Sequence, residues 1–385
     1  MHKIVVIDIN AYSPMHDNYL CNALAEQAKE SVVMIATPAK LEVSSKIKQL
    51  KCIKFIPERF QNSNSKIKKT LRGIEAIVNY ILICFYIKKL KIDNVHFQWL
   101  PFIGFCSLDL LFLRFIKLIR PESQIFLSVH NLFPHDISEI SKKKYIGRFK
   151  ELPLWINKFI THTEVSRYEV ATTYDIDKSK IGVTHLGIYP INKYLNGNES
   201  LSSKQNKKMF RIMMFGLQSY YKGTDLLINA IKELDYSNKE KVEVVVAGKF
   251  APAYFENVKT IETGANIIWK PYFLADDELY REIESSDVIV LPYREISQSG
   301  ALLTALNFNK PLLASDLPSF KETLFAYDDD MFFKNGDYQD LMRLIKRYIN
   351  KELNVEDVLK RNERIKSKFT WSNTAKQTLT IYGIK

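Results

Sequence analysis

Short apolar runs of strand length recur along the chain, separated by stretches with helical spacing. In the first half they fall at residues 3–9 (KIVVIDI), 31–36 (SVVMIA), 53–57 (IKFIP), 94–98 (NVHFQ) and 125–129 (IFLSV). Helices are expected between them at 20–29, 74–90 and 108–120. A polar stretch rich in Asn, Ser and Lys then interrupts the pattern (PINKYLNGNESLSSKQNKK), and a second series follows. Its strands fall at 210–215, 242–247, 267–269, 288–291 and 311–314, with helices at 224–234, 277–285 and 301–306. Strands alternating with helices in this way build doubly wound halves. The fold class read from the pattern is α/β, with two Rossmann-like domains facing each other across a cleft. The domains are expected at 1–190 and 209–371, joined by a linker at 191–208. A closing helix follows Trp371, capped by Ser372, and residues 372–385 are assigned to it.

Composition narrows this reading. With 385 residues and 46% apolar content the chain exceeds one comfortable core but fills two. Cys21, Cys52, Cys84 and Cys106 stand far apart with no Cys-x-x-Cys, so reduced thiols are expected rather than disulfides or zinc. The first apolar run is too short, and too soon followed by Asp8, for a signal peptide, and a cytoplasmic location is expected. The net charge of +12 is uneven: residues 1–190 hold 27 Lys and Arg against 17 Asp and Glu. No zinc-finger, recognition-helix or RNA-binding signature accompanies that basic half. An anionic membrane surface is therefore the expected partner, and nucleic acid is not. Basic residues cluster at Lys66, Lys68, Lys69 and Arg72, and again at Lys142, Lys143, Lys144 and Arg148. The apolar run at 74–90 reads as shorter than the roughly 20 residues needed to span a bilayer. In 108–120, Arg114, Lys117 and Arg120 sit among large apolar residues, a pattern that fits both a lipid-facing helix and a core helix with snorkelling ends.

Two stretches carry chemistry. In LPYREISQSGALLTALNFNKPLLAS (291–315) a strand ends in a polar loop, and Ser299-Gly300 opens a helix. In a parallel sheet this sets free N–H groups and the positive helix end beyond the strand's carboxyl end, where a phosphate is held without a charged side chain. Earlier, Gly216 follows a strand and Lys222-Gly223-Thr224-Asp225 starts the next helix. The glycine permits close backbone approach, and a lysine six residues on can meet a diphosphate. No Gly-x-Gly-x-x-Gly follows the first strand, which removes the usual dinucleotide signature. Asp175-x-Asp177 and Asp328–Asp330 read as solvated turns, and no metal is expected to be required.

The order FGLQSYYKGTDLLI, VVVAGK, ELYREIESSDVIVLPYREISQSGALLTAL and NKPLLASDLP resembles the donor domain of GT-B glycosyltransferases of the retaining family 4 type, in a Ser-Gln-Ser-Gly version. VHFQWLP, LSVHNLFPHD, VTHLGIYP and the closing FTWSNTAKQTLTIY extend the resemblance over nearly the whole chain. It implies that the closing helix crosses back to the first domain. It implies that Gly216, Lys222, Gly223, Ser299 and Gly300 hold the nucleotide diphosphate, and that His130 lies near the donor sugar. Two features depart from the family. Its arginine between the first glycine and the lysine is absent, since Leu217, Gln218 and Ser219 stand there. Its paired glutamates fall at Ile296 and Thr304, neither acidic. Thr304 can still hydrogen-bond a ribose, and Glu295 is a candidate substitute carboxylate with a solvated loop residue as the alternative. His16, Asp17, His96 and Gln98 are assigned to the acceptor side.

The resemblance implies transfer of a sugar from a nucleotide-diphosphate sugar to a glycan or polyprenol-linked glycan acceptor, with retention, in bacterial surface polysaccharide synthesis at the inner face of the membrane. No cofactor beyond the donor substrate is expected. A nucleotide-sugar epimerase on the same fold and a non-catalytic binding subunit are the alternatives.

Overall fold

The computed structural model describes residues 2–54, 66–134, 138–191 and 209–384. Of the linker expected at 191–208, only residue 191 falls among them. The side chains of Lys66, Lys68 and Lys69 also lie outside the described residues. The chain divides into two compact units, one formed by Met1–Gly187 together with Thr370–Lys385 and the other by Ile188–Phe369.

The first unit runs β1 (Lys3–Ile7), α1 (Pro14–Gln27), β2 (Val32–Ala36), β3 (Lys48–Leu50), α2 (Lys66–Leu90), β4 (Asn94–Phe97), α3 (Leu108–Ile119), β5 (Gln124–Ser128), α4 (Glu139–Phe149), β6 (Lys158–Thr161), α5 (Glu164–Tyr174) and β7 (Ile181–Val183). The second continues with β8 (Phe210–Phe215), α6 (Thr224–Lys232), α7 (Tyr236–Lys239), β9 (Val242–Ala247), α8 (Pro252–Lys259), β10 (Asn266–Lys270), α9 (Asp276–Ser285), β11 (Val288–Leu291), α10 (Gly300–Asn307), β12 (Leu312–Ser315), α11 (Pro318–Thr323), β13 (Phe332–Phe333), α12 (Tyr338–Ile349) and α13 (Val355–Lys366). α14 (Trp371–Tyr382) returns to the first unit, where it packs on α1.

Both sheets are parallel throughout, in the orders β3-β2-β1-β4-β5-β6-β7 and β10-β9-β8-β11-β12-β13. Covered on both faces, central strands such as β1 and β11 are apolar almost without interruption and buried nearly end to end. This is the doubly wound architecture read from the pattern, twice over. Each sheet reverses strand order once, at β1/β4 and at β8/β11. A crevice opens beyond the carboxyl ends at such a point.

Several elements depart from expectation. α1 begins at Pro14 rather than near residue 20, because proline fits the first turn of a helix. His16 and Asp17 therefore stand on its first turns and not in a loop. The third strand lies at Lys48–Leu50 rather than 53–57, of which residues 55–57 fall outside the described residues. α14 starts two residues early, with the Thr370 side chain accepting from the Asn373 N–H in place of a Ser372 cap. α2 is also longer than expected, and Thr70–Leu90 is long and apolar enough by length and composition to cross a membrane. One of its faces nevertheless packs into the sheet through Ala76, Tyr80, Ile83, Cys84 and Ile87. That face makes it a core helix.

α2 is tied to α3 across that core. The Tyr80 hydroxyl donates to Asp109 Oδ1 at 2.6 Å, and Asp109 Oδ2 accepts from the Phe102 N–H at 2.9 Å. Burial raises the Asp109 carboxyl to about 6, so a hydroxyl donor there is worth more than on the surface. Tyr80→Phe is expected to cost about 1–3 kcal/mol in urea unfolding. An unchanged midpoint would show that the hydroxyl contributes nothing.

Candidate functional site

In the second unit the residues singled out from the sequence gather at the β8/β11 switch. The chain leaves β8 through Gly216, whose φ of +109° an L side chain rarely adopts. Gln218 then staples the loop from within. Its Nε2 donates to the Gly216 and Ala247 carbonyls at 3.1 Å, and its Oε1 accepts from Thr224 Oγ1 at 2.8 Å. A single 3-10 turn, Tyr220–Lys222, ends in Gly223 at φ +72°. A Cβ on Gly223 would stand 1.9 Å from the Pro292 carbonyl oxygen, so the loops after β8 and β11 pack backbone to backbone.

Arg294 fastens the two loops. Its N–H donates to the Tyr221 carbonyl at 2.7 Å and its Nη1 to the Tyr220 carbonyl at 2.7 Å. The guanidinium also donates to both Asp225 oxygens, at 2.9 and 2.6 Å, a bidentate pair. The Tyr254 hydroxyl donates to the same carboxylate at 2.7 Å. Arg294 is thereby committed to structure and does not supply the missing positive charge.

Lys222 is only 8% exposed, and its ammonium lies 3.8 Å from the centroid of the buried Tyr293 ring. Among the described residues no carboxylate stands within ion-pair distance of it, and burial lowers its pKa to about 8. A buried cation facing a π-system with no anion is a site that an anionic ligand would satisfy. Ser219 Oγ, on the same turn, is buried without a hydrogen-bond partner among the described residues.

The helix end behaves as its pattern implies. Ser299 Oγ accepts from the Leu302 N–H at 3.1 Å, which leaves Gly300 and Ala301 at the open end of α10. Nothing lies within 4 Å of a Cβ built on Gly300. Thr304 is half-buried one turn on, and Glu295 is exposed in the preceding loop. Ile296, where a glutamate was sought, gives its carbonyl to the Ser319 hydroxyl at 2.7 Å. Beside the switch a cavity of about 290 Å³ is lined by Phe215, Gly216, Leu217, Gly248, Phe273 and Leu274, with Lys249 and Asp276 as the charged residues of its lining. Leu217 thus makes apolar wall. Lys249, within the quoted VVVAGK, is a cation that sequence reasoning left unassigned.

In the first unit the carboxyl ends of β1, β4, β5 and β6 converge on a buried histidine cluster. His162 Nε2 and His130 Nδ1 share a hydrogen bond of 3.0 Å, and His130 Nε2 meets Gln98 Oε1 at 3.1 Å. Trp99 stacks on the His130 ring at 4.6 Å, and His16 stands edge-on to it at 5.3 Å. His96 is set apart, since both ring nitrogens are taken, by Ser128 at 2.8 Å and by Tyr382 of α14 at 2.6 Å. Burial lowers His16 to about 4 and His162 to about 3, and holds His130 well below its ordinary value. All are neutral at pH 7. Asp8 and Asp17 lie against one another in this cluster, and burial raises each to about 7, with their mutual repulsion adding to the rise of Asp8. Both Asp17 oxygens, His16 Nδ1 and Gln98 Nε2 are buried without a hydrogen-bond partner among the described residues. Asp8 and His162 were not singled out from the sequence. Each follows a strand directly, and His130 stands two residues past the end of β5, so a place just beyond a strand's carboxyl end is the signal that would have found them.

The acidic turns are spent locally. Asp177 caps a 3-10 turn by accepting from the Ser179 N–H, and Asp328, Asp329 and Asp330 pair with Arg361, Lys321 and Arg347. Among the described residues no group of three or more His, Cys, Asp or Glu is arranged to hold a metal ion.

Comparison with known proteins bears on the second unit above all. Residues 198–368 match the family model "Glycosyl transferases group 1". A GDP-mannose:glycolipid 4-beta-D-mannosyltransferase of Xanthomonas campestris pv. campestris is 29% identical over 108 residues, 27% of this chain and 30% of that protein. The match therefore spans less than a third of that relative's length. An uncharacterized glycosyltransferase of Methanocaldococcus jannaschii is 22% identical over 265 residues, covering 66% of this chain and 65% of the relative. Among solved structures, Anabaena HepE in complex with UDP and glucose aligns over 100% of both chains, with TM-score 0.66 and 12% identity. The fold is that of the GT-B enzymes, and residues 198–368 are similar to the glycosyltransferase group 1 domain.

Two outcomes follow from this geometry. Arg294→Ala strands Asp225, and is expected to cost about 2 kcal/mol of stability. Adding Asp225→Ala should cost less than the sum of the single changes; strict additivity would show that the two do not act together. Asp17 has a folded pKa raised above its unfolded value, so its favourable contribution is complete below about 3.8 and is lost as pH rises through about 7. Asp17→Asn removes that loss. The variant's melting temperature relative to wild type is expected to be higher at pH 8 than at pH 5, and a pH-independent difference would refute the assignment.

Proposed function

We propose that the protein is a glycosyltransferase that moves a sugar from a nucleotide-diphosphate sugar to a glycan or lipid-linked glycan acceptor. The observation that carries this reading is one end of one sheet. There a buried lysine, with no carboxylate at ion-pair distance among the described residues, follows β8, the open end of α10 follows the neighbouring β11, and a largely apolar cavity adjoins the loop after β8. Such a site is built for a diphosphate joined to a flat apolar group. We assign Gly216, Lys222, Gly223, Ser299 and Gly300 to the diphosphate and Thr304 to the ribose, and leave Glu295 as an exposed loop residue.

The bond from the anomeric carbon to the diphosphate oxygen breaks, and its electron pair leaves with the nucleotide. Lys222 and the α10 amides stabilise that charge, and neither forms a covalent bond to the sugar. The acceptor hydroxyl bonds to the anomeric carbon and gives up its proton to the departing phosphate. Attack from the vacated face retains configuration. No residue in this scheme calls for a metal ion. We assign the acceptor to the first unit, through His16, Asp17 and Gln98. His130 is uncharged at pH 7 and both its ring nitrogens are engaged, by Gln98 and His162, so we assign it to the sugar through its backbone and not as a cation, while His96 supports the fold.

The glycolipid named for the Xanthomonas relative supports a lipid-linked acceptor, hence a role in surface polysaccharide synthesis. The basic charge of residues 1–190 supports a place on the inner face of the membrane. One observation favours a second reading. With no arginine near Gly216 and no acid at 296 or 304, a non-catalytic subunit that only binds nucleotide keeps the same cradle.

A thermal-shift series against nucleoside diphosphates and their sugars, without added metal, separates these readings. One nucleotide and its sugar should raise the melting temperature, since ligand at a hundred times its Kd stabilises by about 2.7 kcal/mol. Lys222→Met removes a buried charge, so it should fold at least as well and lose the shift. No shift with any nucleotide would overturn the donor site. A shift without turnover on any lipid-linked acceptor would favour the non-catalytic reading.

A further inference from the structure

α2 has two apolar faces, and the core uses one. Leu71, Ile74, Ile77, Ile81 and Phe85 lie along the other at three- and four-residue spacing, with Ile81 58% and Phe85 54% exposed. α3, packed beside α2, presents Leu111, Phe115 and Leu118 in the same way, with Leu111 61% and Leu118 75% exposed. Scattered apolar residues on a surface are ordinary, whereas a run on two adjoining helices is not.

The charges on these faces have one sign. The exposed ionisable residues of α2 among those described are Arg72, Lys88 and Lys89, and that of α3 is Arg114. The acidic residues, Glu75 and Asp109, are both buried. On these two helices every exposed charge among the described residues is a cation, which complements an anionic lipid surface that offers hydrocarbon at its boundary and negative headgroups above it. A protein partner would be expected to meet some of these cations with acidic groups, a demand the bilayer meets everywhere at once.

We infer that the α2–α3 face is a docking surface that lies in the interface of an anionic bilayer without crossing it. The inference rests on the proposed lipid-linked acceptor and adds where the lipid is met. In a parallel α/β unit each helix starts from the carboxyl edge of the sheet, so both helices begin at the edge that carries His130 and His162. A bilayer along this face brings lipid-borne headgroups to that edge.

The test is flotation of the full chain with vesicles of phosphatidylcholine alone, or with about 30% phosphatidylglycerol added, and no donor or acceptor present. Wild type should float with the anionic vesicles, weaken with salt, and not float with the neutral ones. Ile81→Gln/Phe85→Gln/Leu118→Gln should weaken binding about tenfold or more while melting as wild type does. Lys88→Glu/Lys89→Glu/Arg114→Glu should abolish the salt-sensitive part. Equal binding by the apolar variant would overturn the inference, as would no binding by wild type. So would a wild-type dimer, formed without lipid, that the apolar variant dissolves, since the face would then belong to a second copy. Because nothing is transferred in this assay, failure of the enzymatic reading leaves its outcome unaffected. Conversely, the apolar variant should still show any nucleotide-induced thermal shift.

Discussion

Every strand in this protein runs parallel to its neighbours, and that constraint decides where chemistry can occur. A parallel ladder cannot be closed by hairpins, so each strand must be followed by a crossover that starts from the same edge. The loops that leave the strands are thereby gathered along one rim per sheet. Where strand order reverses, two crossovers diverge and leave a crevice. Asp8 and Gln98 flank that point in one sheet, and the Lys222 turn and Tyr293 flank it in the other.

Within the second unit, holding these loops in place takes more than the sheet. Gly223 lets two backbones touch, Gln218 pins one loop to β9, and Arg294 with Asp225 bolts it to the other. These groups fix the position of Lys222 before any ligand arrives. A cation confined in this way loses little freedom on binding an anion, and part of its hydration has already been given up.

Legibility from sequence followed the range of the interaction. Strands such as Val288–Leu291 were plain because burial on both faces leaves an unbroken apolar run, and Ser299-Gly300 was plain because capping is local. Lys222 was found through its spacing from Gly216. The start of α1 was missed because Ser13-Pro14 reads equally as a turn, and only the burial of His16 and Asp17 on the first turns settles it. Arg294 gave no signal of its own, since its role depends on Asp225, 69 residues earlier in the chain. The histidine cluster was half-visible: His16 and His130 were noticed singly, but the contact between their rings is a property of the assembled sheet. α2 looked too short for a membrane because its charged start was read as a boundary, whereas the helix runs on through that start and packs one face into the core.

The return of α14 has a consequence for the order of assembly. Its Tyr382 closes the His96 site, Thr374 and Gln377 bond to His185, and Trp371 fills the space above Gly187. The ribosome makes these residues only after the whole of Ile188–Phe369, so the unit that is begun first is the one completed last. During that interval the second unit, contiguous in sequence, can already be closed, while the first still exposes the surface that α14 covers. The nascent chain thus carries a finished domain and an open one, and the open one is the basic half.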